Sequence, residues 1–208
     1  MYKFFLFLLP LFTIQQPEYQ LSTDKDGIRI YTATNADAKV KPIKVECTFN
    51  ATPAQLVAVL LDIKNYPDWA YHTKSSTIIK QVSSLELYYY SEVNVPWPGQ
   101  NRDFVSHVTA SQNPETKVVT VEAPNVPGMV PEKSGLYRTH TSKGKWIITP
   151  EGSDKIKVVY YLQIDAGGAA PAWLVNMFIT DGPLQTFIKL RKQVQKAEYK
   201  EVRLEFIK

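Results

Sequence analysis

The sequence predicts an α+β domain, a curved antiparallel sheet of about nine strands wrapped around one long, kinked C-terminal helix. Three observations lead there. First, residues 171–196 carry Trp173, Leu174, Met177, Phe178, Leu184, Phe187, Ile188 and Val194 at steps of three, four and seven, and Thr180, Asp181, Gln185, Lys189 and Lys192 fill the other side. Second, residues 76–165 read as alternating strands and turns without an amphipathic helix. Third, a sheet that long, with one helix of sufficient apolar length to bury its inner face, curls around the helix rather than staying flat.

The N-terminus places one lysine, Lys3, ahead of an apolar run at residues 4–14 and polar residues after it. The run is too short to cross a bilayer of roughly 30 Å. It fits a secretory signal peptide over residues 1–16, so export, periplasmic or secreted, is expected, with the domain occupying residues 17–208. An uncleaved anchor or a first buried helix would carry the same run. The single cysteine, Cys47, forms no internal disulfide, and no lipobox cysteine stands directly after the apolar run to carry a lipid anchor.

Residues 27–34 alternate Ile28, Ile30 and Thr32 against Arg29, Tyr31 and Ala33, and residues 43–49 put Ile43, Val45, Cys47 and Phe49 on one face. Thr52 followed by Pro53 predicts a capped helix start, and residues 54–63 continue at helical period to a stop at Tyr66-Pro67-Asp68-Trp69. Seven further strands are predicted at 76–82, 85–95, 103–112, 117–123, 135–141, 145–149 and 155–165; their short connections favour an antiparallel meander. Asp181-Gly182-Pro183 interrupts the last helix. Either proline kinks it or Asp181 caps a second segment; both give a bend.

Composition excludes several classes of function. The chain is 44% hydrophobic and 21% charged, with a formal charge of +4 and a pI near 9.0. Lys and Arg are interspersed with Asp and Glu, which permits weak attraction to an anionic membrane but lacks the basic stripe with interleaved aromatics that a nucleic-acid partner needs. His72, His107 and His140 fall on separate elements without metal-ligand spacing. No Gly-x-Ser-x-Gly occurs and no triad assembles by spacing. Gly167-Gly168 lacks the further glycine or Lys-Ser/Thr of a phosphate loop and reads as a hinge. No cofactor is expected.

The order of several motifs resembles a known family: Pro96-Trp97 with Asn101-Arg102-Asp103-Phe104-Val105; PEKSGLYR at 131–138; GKWIITP at 144–150; and Ile164-Asp165-Ala166-Gly167-Gly168 leading to Pro171-Ala172-Trp173-Leu174-Val175-Asn176, closed by Leu190-Arg191. Over residues 20–200 the chain resembles the START (steroidogenic acute regulatory protein-related lipid transfer) domain family, as a bacterial-type single-domain member. The resemblance implies the helix-grip fold and a closed apolar cavity for one lipid between sheet and helix. It also shows a departure. Some sterol-binding members carry a buried arginine six positions after the motif's arginine, with an acidic partner on the preceding strand; here that position is Val108, and Glu92 does not align with the partner. The cavity is therefore expected to be more apolar at that end, and a sterol ligand does not simply carry over.

Family parity turns Phe104, Ser106, Val108 and Ala110 inward. Val158, Tyr160, Leu162 and Ile164 are expected on the same side, facing Trp173, Met177, Phe178, Leu184, Phe187 and Ile188 of the helix. Small residues such as Ser106 and Ala110 leave a void under the helix, and Ser106, Tyr160 and Arg138 supply polar groups. Arg102 and Asp103 are expected in a salt bridge that fixes a loop rather than in a ligand contact. Val126, Met129 and Val130, on the proline-rich loop 124–131, are expected to gate entry with the helix. The expected function is binding and transfer of one hydrophobic molecule or lipid by a monomer, with transient membrane contact and no bond broken. The alternatives are a helix-grip enzyme, cyclase- or hydrolase-like, using the same cavity, and a module whose apolar loop docks a protein.

Overall fold

Asp26 and Gly27, both at positive φ, turn the chain between two strands that pair Lys25 with Ile28. An Asp-Gly pair in this left-handed conformation makes the two-residue hairpin turn whose twist matches its flanking strands. The hairpin opens the computed structural model, which describes residues 18–33, 42–164 and 172–208. The signal segment and the Gly167-Gly168 hinge lie outside the described residues.

The strands are β1 (Tyr19–Lys25), β2 (Ile28–Ala33), β3 (Ile43–Phe49), β4 (Thr73–Ser83), β5 (Glu86–Val93), β6 (Arg102–Gln112), β7 (Val119–Pro124), β8 (Tyr137–Arg138), β9 (Ser142–Pro150) and β10 (Ile156–Ile164). They form one sheet in the order β1-β2-β3-β10-β9-β7-β6-β5-β4, with β8 beside β6. The sheet and its helical cover match the expected α+β architecture. It is not a plain meander, because the first hairpin is joined to the rest through β3 pairing with β10.

Two elements differ from expectation. β1 was not foreseen: it is an edge strand with both faces largely solvated, so it shows no apolar alternation, and only its Asp-Gly turn advertises it. Residues 135–141 form no full strand. They make only the two-residue β8, parallel to Arg102 and Asp103, held by two backbone bonds, from the Tyr137 N–H to the Asn101 carbonyl and from the Thr139 N–H to the Asp103 carbonyl, and by the Arg138 side chain.

Helix α1 (Pro53–Leu61) begins as its sequence requires: the Thr52 hydroxyl accepts from the Gln55 backbone N–H at 3.2 Å and the Gln55 side chain accepts from the Thr52 N–H at 2.7 Å. A single 3₁₀ turn leads to α2 (Tyr66–Trp69). The C-terminal cover is α3 (Ala172–Asn176), a π turn over Met177–Asp181, α4 (Gly182–Gln193) and the short α5 (Ala197–Lys200). Asp181 is itself helical and caps nothing, so the kinked continuous helix is the form adopted. The Gly182 N–H donates five residues back to the Met177 carbonyl, which accommodates Pro183. A side chain at Gly182 would put its Cβ 2.6 Å from that carbonyl, so the turn requires glycine.

The main core lies between the inner sheet face, α1 and α4. Ile28, Ile30, Val45, Phe49, Leu56, Val57, Ile148, Val158, Phe187, Leu190 and Val194 are among its buried members. A second, smaller cluster of Val95, Leu174 and Met177, flanked by Tyr71 and Phe178, sits beneath α3.

Candidate functional site

A row of small side chains crosses the inner sheet face. Ala123 pairs with Gly144 and Gly144 with Leu162 across β7, β9 and β10; Ser106 bridges Asn125, and Ser91 and Ser142 extend the row. Small residues under a bent helix leave space. The result is a cavity of about 210 Å³, bounded by that row and by Tyr66, Trp69 and Tyr71 from the α2 region and Phe178, Gly182, Pro183, Thr186 and Phe187 from the cover.

The walls are aromatic. Trp146 stacks on Tyr160 at 4.1 Å and on Phe187 at 5.3 Å, closing one side. Tyr66 meets Trp69 and Tyr89 edge-on at 4.7 and 5.4 Å, and Tyr89 meets Phe104 at 5.8 Å. Burial raises Tyr66, Tyr89 and Tyr160 well above the ordinary phenol value, so all three present neutral hydroxyls. None of the described residues that bound the cavity is charged.

The expected residues divide. Phe104, Ser106, Tyr160, Leu162, Phe178 and Phe187 bound the cavity, as does Ile164. Val108 and Ala110 share the parity of Ser106 but lie farther along β6, packed into the main core; Val108, paired with Leu87, stands in apolar surroundings with no place for a buried charge. Trp173 is 39% exposed and its ring approaches Gly99, while Met177 packs in the small cluster. Leu184 and Ile188 flank the main core. The π turn adds one residue to its turn, so a stripe read at regular helical steps does not continue in phase beyond Asp181.

Arg138 is not at the cavity. Its guanidinium grips Asp103 through Nε and Nη2, at 2.8 and 2.9 Å, and donates to the carbonyls of Val130 and Pro131. Asp103 also accepts from the Tyr90 hydroxyl at 2.9 Å. Burial pushes the Asp103 carboxyl up, but its bonds from Arg138 and Tyr90 more than offset this and hold it below the usual range. Burial lifts Tyr90 to about 12. The loop-fixing salt bridge is thus made by Asp103 with Arg138. Arg102 instead donates to the Gln100 carbonyl and lies 5.5 and 5.9 Å from the rings of Tyr137 and Phe178.

The loop bearing Val126, Met129 and Val130 is tied at both ends. The Val126 N–H donates to the Val105 carbonyl, the Asn125 side chain to the Thr139 carbonyl, and Arg138 holds Val130 and Pro131. Met129 at its tip is 37% exposed. His107 stacks on Tyr88 and meets Glu86 at 2.8 Å on the outer face, away from the cavity.

Sequence reasoning missed Tyr66, Trp69, Tyr89, Ser91, Ala123, Ser142, Gly144 and Trp146. The Ser142-x-Gly144-x-Trp146 alternation, two small residues and then an aromatic on one face, was the legible signal of a recess with an aromatic wall.

The profile that describes the START domain matches residues 13–200 of the chain. The chain belongs to the START domain family. This START domain is 29% identical over 179 residues to an uncharacterised protein of Pseudomonas aeruginosa, covering 86% of this chain and 88% of that one. It is 27% identical over 177 residues to the phosphatidylcholine transfer protein of Mus musculus, covering 83% of this chain and 81% of that one. Among solved structures, a STAR-related lipid transfer protein from Xanthomonas axonopodis matches it with a TM-score of 0.78 at 28% identity, over 86% of this chain and 99% of that one. The motif-based expectation of family and fold holds.

Proposed function

We propose that this START domain binds one lipid molecule in the cavity beneath the cover and carries it, without breaking a bond. The observation that carries the reading is the recess itself: an aromatic-walled space under a helix whose own geometry supplies a bend. The names of the mouse and Xanthomonas relatives, both transfer proteins, support it. Apolar surface removed from water inside such a wall contributes about 25 cal/mol per Å². Burial keeps the tyrosine hydroxyls protonated, so they are poor general bases and are suited to donating hydrogen bonds.

The cavity's 210 Å³ is below the ~300–1,000 Å³ of typical ligand pockets, so loading requires the cover to move. We assign that movement to α3 and the π turn rather than to the tied 125–131 segment. Trp97, 92% exposed on the loop that packs beside Trp173, is the apolar group best placed for transient membrane contact. Export is part of the same reading, supported by the apolar run behind Lys3; recovery of the full-length chain in the cytosol of its host would count against it.

The test is native mass spectrometry of the protein purified from its host, with extraction and identification of whatever it carries. A single lipid at one per monomer is expected. A protein that arrives empty and also takes up no fluorescent fatty acid, sterol or phospholipid contradicts the reading.

A further inference from the structure

The hydrogen-bonding groups of the cavity wall are mostly committed. The Tyr66 hydroxyl donates to the Leu60 carbonyl at 2.6 Å, and the Ser106 hydroxyl to the Pro124 carbonyl at 3.0 Å. The Ser91 hydroxyl is engaged with Ser76 and the Ser75 carbonyl. Among the rest are two aromatic donors. The Tyr160 hydroxyl lies against Gly144. Trp69, only 3% exposed, carries in its Nε1 the one buried side-chain polar atom among the described residues without a hydrogen-bond partner. A buried donor without an acceptor is costly, and one retained in a side chain that bounds a cavity needs an explanation.

We propose that the ligand is an uncharged lipid whose ketone, ester or hydroxyl oxygen accepts from the Trp69 indole N–H and the Tyr160 hydroxyl, and that lipids bearing a phosphate or an ionised carboxylate are not held. The inference rests on the lipid-binding reading above and narrows it. An anionic group drawn into this wall meets rings and neutral hydroxyls. Two nearby arginines are engaged elsewhere: Arg138 grips Asp103 and two carbonyls, and Arg102, beside the rings of Tyr137 and Phe178, donates to the Gln100 carbonyl. An anion buried without a cation is far more expensive than a carbonyl given one or two donors. In this respect the chain is expected to part from the phosphatidylcholine transfer proteins it resembles.

The experiment offers the delipidated full chain an equimolar mixture of 1-oleoylglycerol, oleate and palmitoyl-oleoyl-phosphatidylcholine in mixed micelles and reads the adducts by native mass spectrometry. The 1-oleoylglycerol adduct is expected to dominate each of the others by about tenfold or more, the ratio that roughly 1.4 kcal/mol of discrimination produces. Phosphatidylcholine or oleate retained to the same extent would overturn this inference and leave lipid binding intact. No adduct with any of the three would overturn this inference, and with it lipid binding if a sterol is not taken up either. Trp69→Phe and Tyr160→Phe, each checked for cooperative thermal unfolding, are expected to weaken 1-oleoylglycerol retention by about three- to tenfold, the worth of one hydrogen bond. Unchanged retention in both folded variants would also overturn the assignment.

Discussion

The two halves of the cover are held very differently. Beyond the π turn, α4 drives Phe187, Leu190 and Val194 fully into the main core. It is also fastened at its rim: Arg191 donates to the carbonyls of Asp26 and Gly27, Gln195 to that of Asn50, and Lys196 to Asp68 at 2.8 Å. Before the turn, α3 rests on the separate small cluster of Val95, Leu174 and Met177, with Trp173 substantially exposed. Local opening follows the free energy of local contacts, so the lightly packed half is the one that opens first. The cover thus combines an anchored segment with a hinged one, and the cavity lies under their junction.

The sharpest way to break this comparison is to hollow out the anchored half. Phe187→Ala should cost about 3–5 kcal/mol of global stability by chemical denaturation, since it removes a ring stacked on Trp146 and leaves a void. Asp103→Ala strands the buried Arg138 guanidinium, and should cost a similar ~3–5 kcal/mol. The same pair sets a pH dependence. Because Asp103 titrates below its ordinary range when folded, its contribution is present above the unfolded carboxylate pKa of about 3.9 and is lost as pH falls through the lower folded value. The 125–138 segment should therefore become protease-sensitive in acid before α4 does.

Leu174→Ala should cost less, about 2 kcal/mol, the low end for its kind, because the small cluster has room to relax; its main effect should be faster lipid exchange in a fluorescence transfer assay. If it cost as much as Phe187→Ala, the halves would not differ as described. Trp97→Ala should leave stability within about 0.5 kcal/mol while lowering sedimentation with anionic vesicles. Vesicle binding unchanged by the substitution would remove Trp97 from the membrane contact.

What the sequence made legible follows from how local each signal is. The Thr52-Pro53 start, the alternations of β3, β6 and β10, and the bend at Asp181-Gly182-Pro183 are written in neighbouring residues, and each stands where expected. The parity of Phe104, Ser106, Tyr160 and Leu162 was legible for the same reason. How far the void extends was not, because it depends on cross-strand register: Val108 and Ala110 keep the right face but meet filled space. Leu184 and Ile188 lie beyond the π turn, where one inserted helical residue shifts the phase and leaves no trace in an apolar periodicity. Tyr66 and Trp69 come from a short helix whose distance from the sheet only the assembled fold reveals, and Arg138 was drawn away from the cavity by an aspartate 35 residues earlier.

The measurement that tests the hinged cover most directly is native-state hydrogen exchange, followed by mass spectrometry, on the empty and lipid-loaded protein. In the empty protein, amides of residues 173–182 should exchange much faster than those of residues 186–194, and lipid loading should slow the first group while leaving the second almost unchanged. Equal protection of both groups when empty, or protection on loading that falls outside the cover and the cavity wall, would contradict a cavity that is entered by lifting the α3 end.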